Sequence, residues 1–180
     1  SLYFSRPLRR VDFVLAKYAA LATALLALMA LPLTILFAGA LLDGLSITGQ
    51  VPNYLESLVG AALLALVLAG IGLVIAAITP KRGLGIAAII AVLALLSGVE
   101  SAIQSLAVNQ NRDAFAGYAG LLSPFTLVDG VQHAVLGANT VLTAQPPGTV
   151  GALVFVCVLV LVVAGCVATL QARFRRVSTQ

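Results

Sequence analysis

Residues 18–42 contain no charged side chain. Wound as a helix, such a run exceeds the roughly 20 residues that cross a bilayer core. In lipid, a helix pairs its backbone N–H and C=O groups within its own segment. The run is therefore read as a membrane span, and comparable uncharged runs follow at 58–78, 84–99 and 150–172, the third extended by the mostly apolar residues 101–108. Composition agrees: 9% of the chain is charged, against about 25% in soluble globular proteins. The expected fold class is all-α, a polytopic transmembrane helix bundle with four spans forming one domain over 1–180.

Proline and glycine punctuate the spans. Pro32 falls inside the first and should kink it by deleting a backbone hydrogen bond, with Thr34 placed to satisfy the freed carbonyl. Gly44, Gly49 and Pro52 make 43–53 a polar loop, and Thr79, Pro80, Lys81, Arg82 and Gly83 a tight basic turn. Gly60, Ala61, Ala65, Ala69, Gly70 and Gly72 give the second span small residues that let a neighbouring helix approach, although an Ala-rich helix with no such contact has the same composition. A secretory signal is the competing reading of the first span, since Arg9 and Arg10 precede it and Ala38-Gly39-Ala40 has a small-x-small pattern. The run is too long for a signal core, and three more spans follow.

Residues 100–149 are too many for an ordinary connection and too apolar for a solvated linker. The polar break at Asn109 to Asp113 is followed by an apolar stretch. Ser123 and Pro124 then read as a cap and first helical residue, opening a short helix that stops at Gly137. Two short helices are implied, which either lie on the outer leaflet or, as favoured here by their few charges, dip into the protein as a re-entrant pair.

Charge sets the topology. Of ten Lys and Arg, only Arg112 falls on the opposite side of a four-span layout from the rest, which by the positive-inside rule makes both termini cytoplasmic in a plasma membrane. Asp43, Glu56, Glu100, Asp113 and Asp129 then lie outside or near the outer interface. The basic residues form flanks rather than a patch, which argues against nucleic acid as a partner and for membrane lipid. Ahead of the first span, Phe4, Leu8, Val11, Leu15 and Tyr18 share one side of a helix, with Arg6, Arg10 and Lys17 on another. An amphipathic helix in the headgroup layer and a plain orienting flank both fit that pattern.

Catalytic and cofactor signals are weak. There is no P-loop, so ATP cannot be held that way and no enzyme activity is expected. His133 is the only histidine, and Cys157 and Cys166 lie in one apolar run, so neither a metal site nor a disulfide framework is indicated, and no cofactor. Glu56 and Glu100 flank spans, where a carboxylate reaches water; an ion-coupled role would need one to face a cavity.

The stretch Leu2-Tyr3-Phe4-Ser5-Arg6-Pro7-Leu8-Arg9-Arg10-Val11-Asp12-Phe13, with Lys17 just before the span, resembles the segment that precedes a span in type-2 ABC exporter permeases. Leu122-Ser123-Pro124-Phe125-Thr126-Leu127-Val128-Asp129-Gly130 is similar to their external segment before the last span, and an Arg-rich tail closes both. The resemblance runs over nearly the whole chain. The family has six spans, so it implies two more upstream, and Ser1 in place of Met fits that expectation. It further implies that residues 2–16 are a cytoplasmic coupling helix in which Ser5, Arg6, Pro7, Arg9, Arg10 and Asp12 meet a separate ABC ATPase subunit. By the same likeness the short external helices form an outer gate, with Ser123, Pro124, Phe125 and Asp129 as candidates, and the working unit is a dimer with a second permease copy or homologue. The other readings left by the residues are a polytopic protein of structural or assembly role and an ion-coupled transporter. None of the runs shows a polar face for a hydrophilic route, so substrate class stays open.

Overall fold

The computed structural model describes residues 10–79, 81–137 and 145–176, with side chains for all of these except 10–13, 82 and 173–176. Among the described residues there are six helices and no strand: α1 (Arg10–Leu42), α2 (Ile47–Ile78), α3 (Arg82–Asn109), α4 (Asp113–Ala119), α5 (Pro124–Leu136) and α6 (Gly148–Arg176). Four of them, α1, α2, α3 and α6, are long and apolar enough to cross a membrane. The chain is an all-α polytopic bundle.

The turns follow from local chemistry. At the end of α1, Gly44 adopts φ +83°, the Leu45 N–H donates to the Ala40 carbonyl at 3.2 Å and the Gly44 N–H to that of Leu41 at 3.2 Å. This six-to-one and five-to-two pair satisfies carbonyls that a helix end leaves open. The same geometry closes α3, with Asn111 at φ 54°, the Arg112 N–H on the Ala107 carbonyl at 2.9 Å and the Asn111 N–H on that of Val108 at 3.0 Å. Asn tolerates the left-handed region better than most residues. Helix α5 stops at Gly137, also left-handed at φ 68°.

Two boundaries differ from the sequence reading. Helix α2 begins at Ile47, so only residues 43–46 form the loop, and Gly49, Pro52 and Asn53 belong to the helix. Helix α3 runs through to Asn109, so 100–109 is span and not external loop. In both places polar residues stand within a helix that continues past the expected end, and a helix needs no apolar side chains to keep its own backbone paired. At Pro32, the Thr34 hydroxyl donates to the Leu31 carbonyl at 2.7 Å rather than to the carbonyl four residues before the proline. Helix α1 has no break between Ala16 and Tyr18, so its described start and the apolar run form one rod.

Helix α2 is central and touches α1, α3, α5 and α6. The small residues picked out in it are buried, and they do admit neighbours: Gly60 faces the Gln132 amide, and a Cβ on Gly70 would lie 3.0 Å from Cys166 Cβ. The core gathers Val67 of α2, Leu127, Val128 and Val131 of α5, and Phe155 and Leu159 of α6, with a smaller cluster of Tyr18, Ala22 and Ala69 where α1 crosses α2. Lipid tails are as apolar as these side chains, so close packing and interhelical hydrogen bonds hold the helices together. One such bond runs from the Tyr18 hydroxyl to the Leu66 carbonyl at 2.6 Å. Helices α1 and α3 expose most of their apolar surface, including Leu28, Leu36, Ile86 and Leu95.

The helices alternate in direction. Lys17 of α1 lines a cavity with Leu73, Ala76 and Ala77 of α2 and Leu170 of α6, at the end of the bundle where α1 starts and α2 and α6 finish. This is the basic end. The other, where α3 finishes and α6 begins, carries the α4–α5 pair.

Candidate functional site

Helices α4 and α5 are bent by 116° about the short break between them and together form a hairpin that enters and leaves at the same end of the bundle. Its depth can be read from its contacts. The Ser123 hydroxyl, at the N-cap of α5, lies 3.3 Å from that of Ser97 in α3. At 1.5 Å per residue Ser97 is about 18 Å from Asn109 and about 22 Å from Arg82, so the hairpin tip reaches the middle of α3. Farther along α5 the Gln132 side-chain amide donates to the Glu56 backbone carbonyl at 2.8 Å, near the start of α2. Glu56 is about 14 Å from Ile47, so α5 passes from the middle of α3 to the first third of α2. The tip is packed inside the protein with a turn carbonyl satisfied: the buried Thr126 hydroxyl donates to the Gly120 carbonyl at 2.7 Å.

Glycines set the fit. A Cβ on Gly117 would come 2.5 Å from the Gln145 carbonyl oxygen and 2.9 Å from Pro147 Cδ, and one on Gly130 would collide with the Phe155 ring. The hairpin is therefore closely seated at Gly117, against the Gln145 carbonyl and Pro147, and at Gly130, against the Phe155 ring.

The expected gate residues divide. Ser123 and Pro124 are buried at the tip, and Ser123, 1% exposed, makes no side-chain cap bond because its hydroxyl faces α3. Phe125 is 41% exposed, and Asp129 is half-buried with an interaction of its own. The structure therefore brings Ser123 and Pro124 into the packed interior, and Phe125 to its outside. Ser5, Arg6, Pro7 and Arg9 lie outside the described residues, as do the side chains of Arg10 and Asp12, whose backbone belongs to α1.

Two residues not singled out as a pair prove to be the buried polar centre of α3. Glu100 is 4% exposed and Gln104 7%. Glu100 was expected near the outer interface. It is instead enclosed, because the hairpin covers the side of α3 that carries it. Neither Glu100 Oε1 nor Gln104 Nε2 has a hydrogen-bond partner. Ser97, Glu100, Gln104 and the buried Ala107 follow at steps of three and four, one face of a helix, a spacing visible in the sequence. Glu56, the other carboxylate considered, is half-buried near the hairpin end. No group of three or more His, Cys, Asp or Glu that could hold a metal ion occurs among the described residues. Cys157 and Cys166 are free. His133, on α5, is half-buried with an interaction of its own.

No protein-family model, curated protein or solved structure matches the chain.

Proposed function

We propose that the chain is the membrane-spanning permease subunit of a type-2 ABC exporter, moving its substrate with energy supplied by a separate ATPase subunit. The observation that carries this reading is the α4–α5 hairpin. It stands ahead of the last span, at the end away from the basic residues, where the resemblance of residues 122–130 to the exporter segment puts an external gate. With the basic end cytoplasmic by the positive-inside rule, residues 5–13 face the ATPase. Arginines there suit carboxylate recognition, since the guanidinium fork pairs both oxygens. Helix α1 is continuous from Arg10, so a displacement at that residue reaches the span through one rod. Its Tyr18 is bonded to Leu66, which passes the load to central α2. A second permease copy would complete the pathway against the exposed faces of α1 or α3.

The test is recovery of the partner. The full-length product of this reading frame, tagged and extracted in mild detergent, should bring down a P-loop ATPase. Changing Arg6, Arg9 and Arg10 together to Glu should release that ATPase while membrane insertion is unchanged. Failure to recover an ATPase with the unaltered protein, or its full retention by the triple variant, removes the coupling role.

A further inference from the structure

Most of helix α3 is exposed, and its few buried residues include Glu100 and Gln104. Glu100 is about 14 Å along the axis from Asn109 and about 27 Å from Arg82, in a helix of 28 residues that is about 42 Å long. It falls within the hydrocarbon depth of a bilayer centred on that helix, whose core is about 30 Å thick. A carboxylate there is costly unless it is paired or neutral, and such residues mark ion or proton sites.

What surrounds it limits its occupant. The face carries one carboxyl, one carboxamide and the hydroxyls of Ser97 and, across from it, Ser123, with the Ser101 hydroxyl beside the carboxyl. That is too few acids for a divalent cation, which takes six or more oxygens with several carboxylates among them, and no metal-binding cluster stands in the described residues. The titratable or charged groups on the elements packed against α3 are Arg112, Asp113 and Tyr118 at and in α4, all exposed; Asp129 and His133 in α5, each with an interaction of its own; and Tyr54 and Glu56 in α2. None bonds to Glu100 Oε1. One buried carboxylate oxygen is thus left without a partner, and one proton would satisfy it.

We propose that Glu100 is a proton-binding site inside the membrane, carried as the neutral carboxylic acid with Gln104 as its hydrogen-bond partner, and that its protonation holds the α4–α5 hairpin against α3. Binding forms one O–H bond between a carboxylate oxygen and a proton taken from water, with no redox change. The Gln104 amide, a turn away, needs only a side-chain rotation to donate to the acid's carbonyl oxygen. Loss of the proton sets a bare charge against the packed tip, and water entering between α3 and the hairpin is the available solvation. This holds whether or not an ATPase drives the protein.

The test uses the full-length protein in liposomes of neutral phospholipid, with protons as the probe. Infrared spectra at neutral pH should contain a protonated-carboxyl C=O band that Glu100→Gln removes, and Gln104→Leu should move that band to higher frequency by freeing the carbonyl. In a background with Cys157→Ala and Cys166→Ala, Ser123→Cys should be labelled by a water-soluble maleimide several-fold faster above the pH at which the band is lost, and at a pH-independent rate once Glu100→Gln is added. Absence of the band at neutral pH, or its survival in Glu100→Gln, overturns the assignment. So does its disappearance when sodium replaces choline at constant pH, which would make this a sodium site. Labelling that ignores pH in the Glu100 protein overturns the link to the hairpin.

Discussion

Phe155 of α6 occupies the space that a side chain on Gly130 of α5 would need: a Cβ at Gly130 would lie 2.5 Å from Phe155 Cε1 and 3.2 Å from Pro146 Cγ. Phe155 is 1% exposed, so it has nowhere to retreat. The α4–α5 hairpin is therefore locked to the last span through a glycine, and the seat is sensitive to a single methyl group.

Gly130→Ala should lower stability by about 1–3 kcal/mol, the usual cost of overpacking a tight core. Thermal unfolding in detergent checks it. Phe155→Ala, destabilising alone, should make Gly130→Ala nearly neutral, because residues in direct contact do not contribute additively. Independent, additive losses would mean the ring does not stand against Gly130.

Tyr18→Phe deletes only the hydroxyl that donates to Leu66 O at 2.6 Å. Interhelical hydrogen bonds in membranes average about 0.6 kcal/mol and reach about 1.7. Since this one joins α1 to the central helix inside the packed Tyr18, Ala22 and Ala69 cluster, a value toward the upper end is expected. Equilibrium unfolding in mixed micelles measures it, and an unchanged midpoint removes Tyr18 from the account of how α1 is held.

Asn111 turns the chain from α3 into the hairpin at φ 54°. Asn111→Gly should be neutral or slightly stabilising, whereas Asn111→Val should cost about 1–2 kcal/mol, the penalty of the left-handed region. Comparable midpoints for both variants would show that the turn does not need that conformation.

Gln132 bonds the Glu56 carbonyl at 2.8 Å and fills the space above bare Gly60. Gln132→Ala removes both, so amide exchange in the last turns of α5 should accelerate while that of α2 at Val67 holds. Uniform acceleration through both helices would mean that α5 has no local anchor there.

The helix-ending and helix-starting signals were legible because they act within a few residues. Ser123 and Pro124 do open α5, Gly137 does end it, and the uncharged runs are the spans. Signals failed where a polar residue has two meanings. Gly49 to Asn53 read as loop because polar residues cluster there, yet the same residues pave the first turns of α2. Glu100 read as a boundary for the same reason. Ser123 was found as a cap by position, but what its hydroxyl faces is Ser97, a residue in another helix.

The sequence alone determined that this chain is a bundle of apolar helices and where its sharp turns fall, because bilayer thickness and backbone conformation are set by run length and by Gly, Pro and Asn. Only the tertiary structure decided that 113–136 folds back into the bundle, that Gly130 needs its missing side chain, and that Glu100 and Gln104 are enclosed instead of wet. A side chain's burial depends on which helix lies across from it, and residues far apart in the chain supply that helix.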